Sequence, residues 1–144
     1  MAITQISVFL ENRPGTLFEA ISAITDAGVN MRALSVAETK DFGIARLIVD
    51  DALEAVNTLK ENDFVASLTP VLAIEIPDEA GGLDKLLEIF ADAEVNIEYM
   101  YAFPGGRAVD KAVMIFRVAD TKASEARLTG KGLRVLSQED IAQI

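Results

Sequence analysis

Cysteine and histidine are both missing from the 144-residue sequence. Without cysteine the chain has no disulfide and no thiol nucleophile, which fits a cytoplasmic protein. Without histidine it lacks imidazole acid–base catalysis and, since cysteine is missing too, the usual zinc ligands. The sequence also lacks a nucleophile elbow, a phosphate-binding loop and calcium-loop spacing. We therefore expect no enzyme activity, no metal site and no cofactor.

Long apolar runs are missing as well, since no segment approaches the roughly 20 consecutive apolar residues that a membrane helix requires. The stretch Met1–Leu10 alternates in polarity and lacks the basic start of a signal peptide. The formal net charge is −10, and nucleic acid backbones and anionic lipid surfaces repel a polyanion. We expect a cytoplasmic protein whose partners include neither nucleic acid nor membrane.

An internal repeat is the main feature that the sequence does contain. The first half of the repeat aligns at a shift of 66 residues and the second half at a shift of 69. The matching segments are Pro14–Leu17 with Ala80–Leu83, Asp26–Asn30 with Asp92–Asn96, and Asp51 with Asp120. The extra residues fall within Ala102–Val109, around Pro104-Gly105-Gly106, where a hairpin tip tolerates insertion. We predict a duplicated domain, with units at 1–69 and 70–144 joined only by Thr69-Pro70.

Hydrophobic periodicity predicts the same elements in each copy. Ile6, Val8 and Leu10 alternate as in a strand, whereas the apolar residues from Leu17 to Ile24 recur at the spacing of one helix face. The order βαββαβ indicates an α+β fold of two ferredoxin-like units, each an antiparallel four-stranded sheet with both helices on one face. The predicted strands are Ile3–Leu10, Asn30–Ala37, Phe42–Val49, Phe64–Leu68, Val71–Ile76, Asn96–Phe103, Lys111–Ala119 and Leu133–Ser137. The predicted helices are Thr16–Ala27, Ala52–Glu61, Leu83–Ala93 and Thr121–Thr129.

The loop between strand one and helix one is the best candidate for a binding site. In Asn12–Leu17 it places backbone N–H groups at a helix N-terminus, which suits a carboxylate, and its glycine permits close approach to the backbone. Copy two has Asp78–Leu83 in the same place. Asn12 and Asp78 align, and each carries an oxygen that accepts from an ammonium group, so the pair fits an amino acid. The alternative is a helix cap and tight turn without a ligand.

Two further features admit a functional and a structural interpretation. Asn30 and Asn96 each begin a second strand, and they are either polar contacts to a ligand or turn residues with positive φ. Tyr99, Tyr101 and Phe103 alternate along a strand of copy two. They form the wall of a ligand site or an interface, or they simply fill the face of the sheet against the other unit.

The motifs Pro14-Gly15-Thr16-Leu17, read as Pro-Gly-x-Leu, and Gly28-Val29-Asn30 resemble those of the ACT domain family, and the resemblance covers both copies. It implies allosteric sensing of amino acids, with a ligand held between two ACT units by the loop of one and the start of strand two of the other. The ligand-binding residues that it implies are Asn12, Arg13, Pro14, Gly15, Thr16, Leu17, Asn30, Met31, Asp78, Glu79, Gly81, Gly82, Leu83, Asn96 and Ile97. Copy two departs from the pattern at Ala80 and Glu94, which leaves one or two sites per chain open.

Three classes of function follow from these observations. The leading one is a non-catalytic tandem sensor of small amino acids that regulates amino-acid metabolism as a homodimer. The second is a protein-interaction module or regulatory subunit for an amino-acid biosynthetic enzyme, for which the regulatory subunits of acetolactate synthase are an analogy. The third is a small ferredoxin-like enzyme, restricted to carboxylate, tyrosine and lysine chemistry.

Overall fold

A computed structural model describes residues 2–38, 41–104 and 110–144, which form two compact units. The N-terminal unit is Thr4–Thr69, and the C-terminal unit holds the residues up to Ile3 together with Pro70–Ile144. The residues 105–109, on which the predicted insertion mostly falls, lie outside the described part of the chain.

The N-terminal unit has the predicted βαββαβ order. Its sheet is antiparallel at the pairs β1–β3 and β2–β3 and has the strand order β2-β3-β1-β4, which is the ferredoxin-like arrangement. Its elements are β1 (Ile3–Glu11), α1 (Thr16–Asp26), β2 (Met31–Glu38), β3 (Phe42–Val49), α2 (Ala52–Glu61) and the first part of β4 (Val65–Pro77).

The core of the N-terminal unit follows from the two periodicities in the sequence. Alternate residues of β1 and β3 point to the helices, and α1 and α2 cover them with one apolar stripe each. The buried core residues are Ile6, Val8, Leu10, Ala20, Ile24, Ala45, Leu47, Val49, Ala55, Val56, Leu59 and Ala66. Leu17 and Ile21 pack against this cluster, so the predicted face of α1 is confirmed.

Local sequence also sets the ends of these helices. Gly28 has φ +77° and donates its N–H to the carbonyl of Thr25 at 2.9 Å, which ends α1 in a left-handed cap. Asp51 is the N-cap of α2, since its carboxylate accepts the N–H of Glu54 at 3.0 Å. The apolar periodicity of the two helices predicts Gly28 as a C′ glycine and either Asp50 or Asp51 as the N-cap, and of these two aspartates the structure uses Asp51.

The C-terminal unit repeats the architecture with a shorter last strand. Its sheet order is β7-β4-β6-β5, with antiparallel pairing throughout. Phe90 of the first helix and Phe116 of the sheet are fully buried, with ring centroids 4.6 Å apart. The remaining elements are α3 (Gly82–Asp92), β5 (Tyr99–Phe103), β6 (Lys111–Arg117), α4 (Thr121–Gly130), β7 (Val135–Leu136) and α5 (Gln138–Ala142).

The predicted interruption of the strand at Thr69-Pro70 is wrong, because β4 runs unbroken from Val65 to Pro77. The two compact units nevertheless divide between Thr69 and Pro70. Pro70 lacks an N–H, but pairing with β6 begins only at Leu72, so no bond of that ladder is lost. The carbonyl of Pro70 accepts from Arg117 Nη1 at 2.8 Å. One continuous strand therefore replaces the two strands and the two-residue connection that the sequence predicts.

The C-terminal unit also differs from the prediction at the start of β5 and at Leu83. Strand β5 begins at Tyr99, so Asn96 and Ile97 precede it rather than start it. Leu83 aligns with Leu17, which packs against the core of the N-terminal unit, but Leu83 is 40% exposed and does not pack against the core of its own unit. Leu86, Leu87 and Phe90 carry the packing of α3 instead.

The tail, which has no readable role in the sequence, forms helix α5 with Ile141 buried. Ser137 and Asp140 make a reciprocal capping box at its start. The backbone N–H of Ser137, then its hydroxyl, and more weakly Arg134 hold the pKa of Asp140 below its ordinary value of 3.8. Across the described residues, no helix combines the length and the apolar character needed to cross a membrane.

Candidate functional site

The loop between β1 and α1 leaves the first turn of α1 without a side-chain cap. Gly15 is the N-cap, at φ +92° and ψ −14°, and it has no side chain to offer. The buried hydroxyl of Thr16 donates to the carbonyls of Glu11 at 2.9 Å and Arg13 at 3.1 Å rather than accepting from the helix. Within the described chain no acceptor is recorded for the N–H groups of Leu17 and Phe18, so both remain available.

The equivalent loop of the C-terminal unit has the same glycine cap and a tighter path. Gly81, at φ +85°, caps α3 without a side-chain hydrogen bond. The N–H of Gly82 donates to the carbonyl of Glu79 at 3.1 Å. A Cβ at Gly82 would lie 2.4 Å from the carbonyl oxygen of Pro77, so this position has no room for a side chain.

These two helices differ from the other three described helices in how they begin. Asp51, Asp120 and Ser137 cap α2, α4 and α5 with side-chain oxygens. In α1 and α3 the positive end of the helix dipole and free N–H groups are left for another group, and a carboxylate is the anion that suits them. The duplication has therefore kept the same uncapped helix start in both units.

Both loops are tied to the neighbouring hairpin by the same backbone hydrogen bond. The N–H of Asn12 donates to the carbonyl of Asp41 at 3.4 Å, and the N–H of Asp78 donates to the carbonyl of Asp110 at 2.8 Å. Asp41 and Asp110 are equivalent at the shift of 69. The side chains of Asn12 and Asp78 are exposed, so the predicted ammonium acceptors point to solvent rather than into the core.

A cavity of about 350 Å³ opens beside this loop in the N-terminal unit. Its apolar walls come from the end of β1, the start of β3, and Phe64 with the start of β4. Its polar groups come from the end of β1, the loop, the start of α1 and the residues after α2. Arg13 Nε lies 2.9 Å from Glu11 Oε2 and Arg13 Nη2 lies 3.8 Å from Glu19 Oε2, all on exposed side chains. The lining residues are Phe9, Leu10, Glu11, Arg13, Thr16, Glu19, Phe42, Asn62, Asp63, Phe64 and Val65.

The C-terminal unit has a smaller pocket, of about 160 Å³, at the equivalent place. Seven of its lining residues are the counterparts of cavity residues in the N-terminal unit at the shifts of 66 and 69. Arg13 is replaced by Glu79, Glu19 by Lys85 and Phe64 by Leu133. The lining residues are Glu75, Ile76, Pro77, Glu79, Gly82, Lys85, Leu86, Ile89 and Leu133.

The residues predicted at the start of strand two lie at the other end of the sheet within a unit. Strand β3 pairs its first residue, Phe42, with Glu11, and its last residue, Val49, with Met31. Eight strand residues span roughly 23 Å, so Asn30 and Met31 lie that far from the loop of their own unit. A ligand of amino-acid size cannot touch both ends of one unit.

The backbone of Asn30 is held by a hydrogen bond to Asp50, and Asp50 in turn pairs with Arg32. The carbonyl of Asn30 accepts the N–H of Asp50 at 3.0 Å, and Arg32 Nε lies 2.6 Å from Asp50 Oδ1. Among the described residues other than glycine, only Asp63 and Glu94 have positive φ, so neither Asn30 nor Asn96 is a left-handed turn residue. Gly28 and Glu94 take the left-handed position of this turn in the two units.

The structure brings together only part of the predicted set. Arg13 and Thr16 line the cavity, and Glu79 and Gly82 line its smaller counterpart. The rest of the predicted loop residues belong to the helix starts without lining either space, namely Asn12, Pro14, Gly15, Leu17, Asp78, Gly81 and Leu83. Ile97 packs against the core of its unit.

Sequence reasoning missed the cavity residues that come from other elements. Phe9, Phe42 and Asn62–Phe64 are distant from the loop in sequence. The fold order contained a usable signal, because the end of β1, the β2–β3 connection and the α2–β4 connection meet at one end of a βαββαβ unit. No group of three or more metal-ligating side chains occurs in the described residues.

Tyr99, Tyr101 and Phe103 lie on one face of β5, opposite Met100, which packs against the core under α3 and α4. Phe103 is buried, and the two tyrosines are half-buried. None of the three lines the pocket of its unit.

A crystal structure of protein BT0572 from Bacteroides thetaiotaomicron is similar to this chain, with a TM-score of 0.91 and 34% identity over 100% of this chain and 98% of that one. Aspartate kinase regulatory subunits from Thermus thermophilus and Thermus flavus share the fold, with TM-scores of 0.64 and 0.61 and identities of 16% and 17%. Each covers 88% of this chain and 90% of its own.

No curated protein sequence matches the chain significantly. The family model described as an ACT domain pair matches residues 1–144, the same span over which the two βαββαβ units occur. The chain therefore belongs to the ACT domain family, as a pair of ACT domains.

Proposed function

We propose that this chain is a non-catalytic regulatory protein that binds a small amino acid at the glycine-capped start of a helix. The observation that carries the proposal is the uncapped first turn of α1, next to a cavity lined by carboxylates and apolar groups. The free N–H groups of Leu17 and Phe18 fit the α-carboxylate. Glu11, Glu19 and Asp63 fit the α-ammonium group.

The family resemblance adds that a second ACT unit contributes to the site through the start of its strand two. Within one unit that segment is roughly 23 Å from the loop. The proposal therefore includes contacts from another ACT unit, with Asn30 and Asn96 as the polar groups and Met31 and Ile97 as their neighbours.

A thermal-shift screen of the common amino acids tests the proposal on the full chain. One or a few of them should raise the melting temperature in a concentration-dependent way, because a ligand that binds only the folded state stabilises it. A flat response to every amino acid at millimolar concentration, with folded protein, contradicts the proposal.

The variant Phe18→Asp tests the role of the helix start. Phe18 is 75% exposed, in the first turn of α1, so the new carboxylate interacts favourably with the helix dipole and competes with the ligand for it. Ligand affinity should fall by about two- to fivefold without loss of stability. Leu53→Asp is the matched control, since Leu53 is 64% exposed in the first turn of α2, which Asp51 already caps.

A second candidate function is a protein-interaction module for a biosynthetic enzyme, or for a second copy of this chain. The described residues show β2 paired on one edge only, by β3, and its side chains Leu34 and Val36 are 41% and 50% exposed. An unpaired apolar strand edge is a surface for pairing with another chain. Light scattering on the wild type and on Val36→Lys tests it, since a dimer through β2 should dissociate in the variant.

A pull-down separates these two partners. Specific capture of an amino-acid biosynthetic enzyme by the wild type but not by Val36→Lys supports the enzyme partner. A wild type that purifies alone as a stable dimer, and loses that state in Val36→Lys, supports self-association.

A further inference from the structure

The two equivalent pockets differ in size by more than a factor of two. Small-molecule sites occupy about 300–1,000 Å³, and the cavity of the N-terminal unit reaches this range at about 350 Å³. The pocket of the C-terminal unit, at about 160 Å³, does not. Among the described residues, the cavity of the N-terminal unit is large enough for a small-molecule site, whereas the equivalent pocket of the C-terminal unit is not.

A single substitution in the duplicated loop accounts for part of this difference. In the N-terminal unit the side chain of Thr16 stands between the helix start and the carbonyl of Glu11, to which its hydroxyl donates. In the C-terminal unit the counterpart is Gly82, and the carbonyl of Pro77 is so close that a Cβ would lie 2.4 Å from it. The start of α3 is thus drawn closer to its strand, which leaves less space beside it.

Charge does not separate the two helix starts. Each helix carries one carboxylate in its first turn, Glu19 in α1 and Asp84 in α3. In the second copy Arg13 is replaced by Glu79, but Glu19 is replaced by Lys85. The difference between the two units therefore rests on volume and on the close approach at Gly82.

The walls of the larger cavity indicate what side chain it takes. Five of its eleven lining residues are large and apolar, and Phe9, Phe42 and Phe64 are aromatic. Phe9 and Phe42 are 46% and 54% exposed, so a ligand would remove much apolar surface from water. A ligand without an apolar side chain would leave this apolar surface exposed to water.

We propose that the chain holds one amino-acid ligand, in the cavity of the N-terminal unit, and that this ligand carries a large apolar or aromatic side chain. The inference rests on the proposed function and adds the number of sites, their location and the class of side chain. The C-terminal unit has the same loop and helix start, but its pocket is too small to hold this ligand.

Isothermal titration calorimetry of the full chain with L-phenylalanine, L-leucine, glycine and L-aspartate tests this inference. L-Phenylalanine or L-leucine should bind with a stoichiometry of one per chain, and glycine and L-aspartate about tenfold to a hundredfold more weakly. Amide chemical shifts on addition of L-phenylalanine should move in the loop and at Phe42 and Asn62–Val65, and not around Gly82.

Two tryptophan variants separate the pockets. Val65→Trp fills the larger cavity from a position that is 67% exposed, so folding should survive while affinity falls about tenfold or more. Lys85→Trp places the same side chain in the smaller pocket and should leave binding unchanged. Urea denaturation of both variants checks that each is folded, and the amide shifts of the wild type decide the location if Val65→Trp is not.

The outcomes distinguish the inference from the function on which it rests. Two equal sites per chain, preferred binding of glycine or L-aspartate, or loss of binding in Lys85→Trp overturns the inference and leaves amino-acid sensing intact. The absence of binding by any amino acid overturns both.

Discussion

The turn that follows the first helix of each unit offers a reciprocal test of backbone strain. Gly28 has φ +77° in the N-terminal unit, and Glu94 has φ +56° at the equivalent position of the C-terminal unit. The hydrogen bonds are the same, since Val29 donates to Ile24 at 3.3 Å and Val95 donates to Phe90 at 2.9 Å. The two turns thus differ in the side chain at one left-handed position.

The swap Glu94→Gly and Gly28→Glu should change stability in opposite directions. A left-handed conformation costs an L-residue about 1–2 kcal/mol, and the greater freedom of glycine in the unfolded chain offsets about 0.4–1 kcal/mol. Glu94→Gly should therefore raise the free energy of unfolding by about 0.5–1 kcal/mol. Gly28→Glu should lower it by a similar amount, since a Cβ at Gly28 meets nothing within 4 Å and adds no steric conflict.

Urea denaturation followed by circular dichroism measures both effects as shifts of the midpoint at constant slope. Glu88→Gly is the control for loss of a glutamate, because Glu88 is exposed inside α3 and its replacement should destabilise by about 1 kcal/mol. Destabilisation by Glu94→Gly, or no effect of Gly28→Glu, would refute the assignment of strain to this position.

Three further predictions concern single contacts. Gly82→Ala should lower the free energy of unfolding by about 1–3 kcal/mol, because its Cβ would lie 2.4 Å from the carbonyl oxygen of Pro77; an unchanged urea midpoint contradicts this. Asp51→Ala removes the N-cap of α2 and should cost about 1 kcal/mol in the same assay, whereas an effect near zero would mean that water replaces the cap. The pKa of Asp140 is lowered mainly by the backbone N–H of Ser137, so this carboxylate contributes stability above its ordinary pKa of 3.8 and loses it as pH falls through the lower folded value. Below about pH 4 the wild type should lose this contribution, and Asp140→Asn, which never has it, should show a flatter acid limb in thermal melts.

The helix ends show how far local sequence reaches. Gly28 and Asp51 could be assigned from their neighbours because each cap involves residues within about four positions along the chain. The loop at Gly15 can also be assigned locally, because a proline followed by a glycine predicts a turn before the helix. The tail escaped prediction, since α5 depends on burial of Ile141 as well as on its capping box.

The candidate site shows where local reasoning stops. Arg13 and Thr16 lie in the motif itself and reach the cavity. Phe42 and Asp63 reach it only because the end of β1 and the starts of β3 and β4 meet at one end of the sheet, which no local pattern encodes. Asn30 belongs to the same family motif, yet the length of β3 puts it at the far end of the unit.

The sequence by itself determined the duplication, the βαββαβ order and the glycine-capped helix starts, because periodicity, capping and repeat spacing are properties of neighbouring residues. Only the tertiary structure decided the rest. It carried β4 through Pro70, which lies before the first residue that pairs with β6. It also placed Gly82 so close to the carbonyl of Pro77 that no side chain fits there, whereas the equivalent position in the N-terminal unit holds Thr16. The cavity beside the loop is about 350 Å³ in the N-terminal unit and about 160 Å³ in the C-terminal unit. Such volumes depend on the packing of distant segments, and packing is set by all of the contacts together.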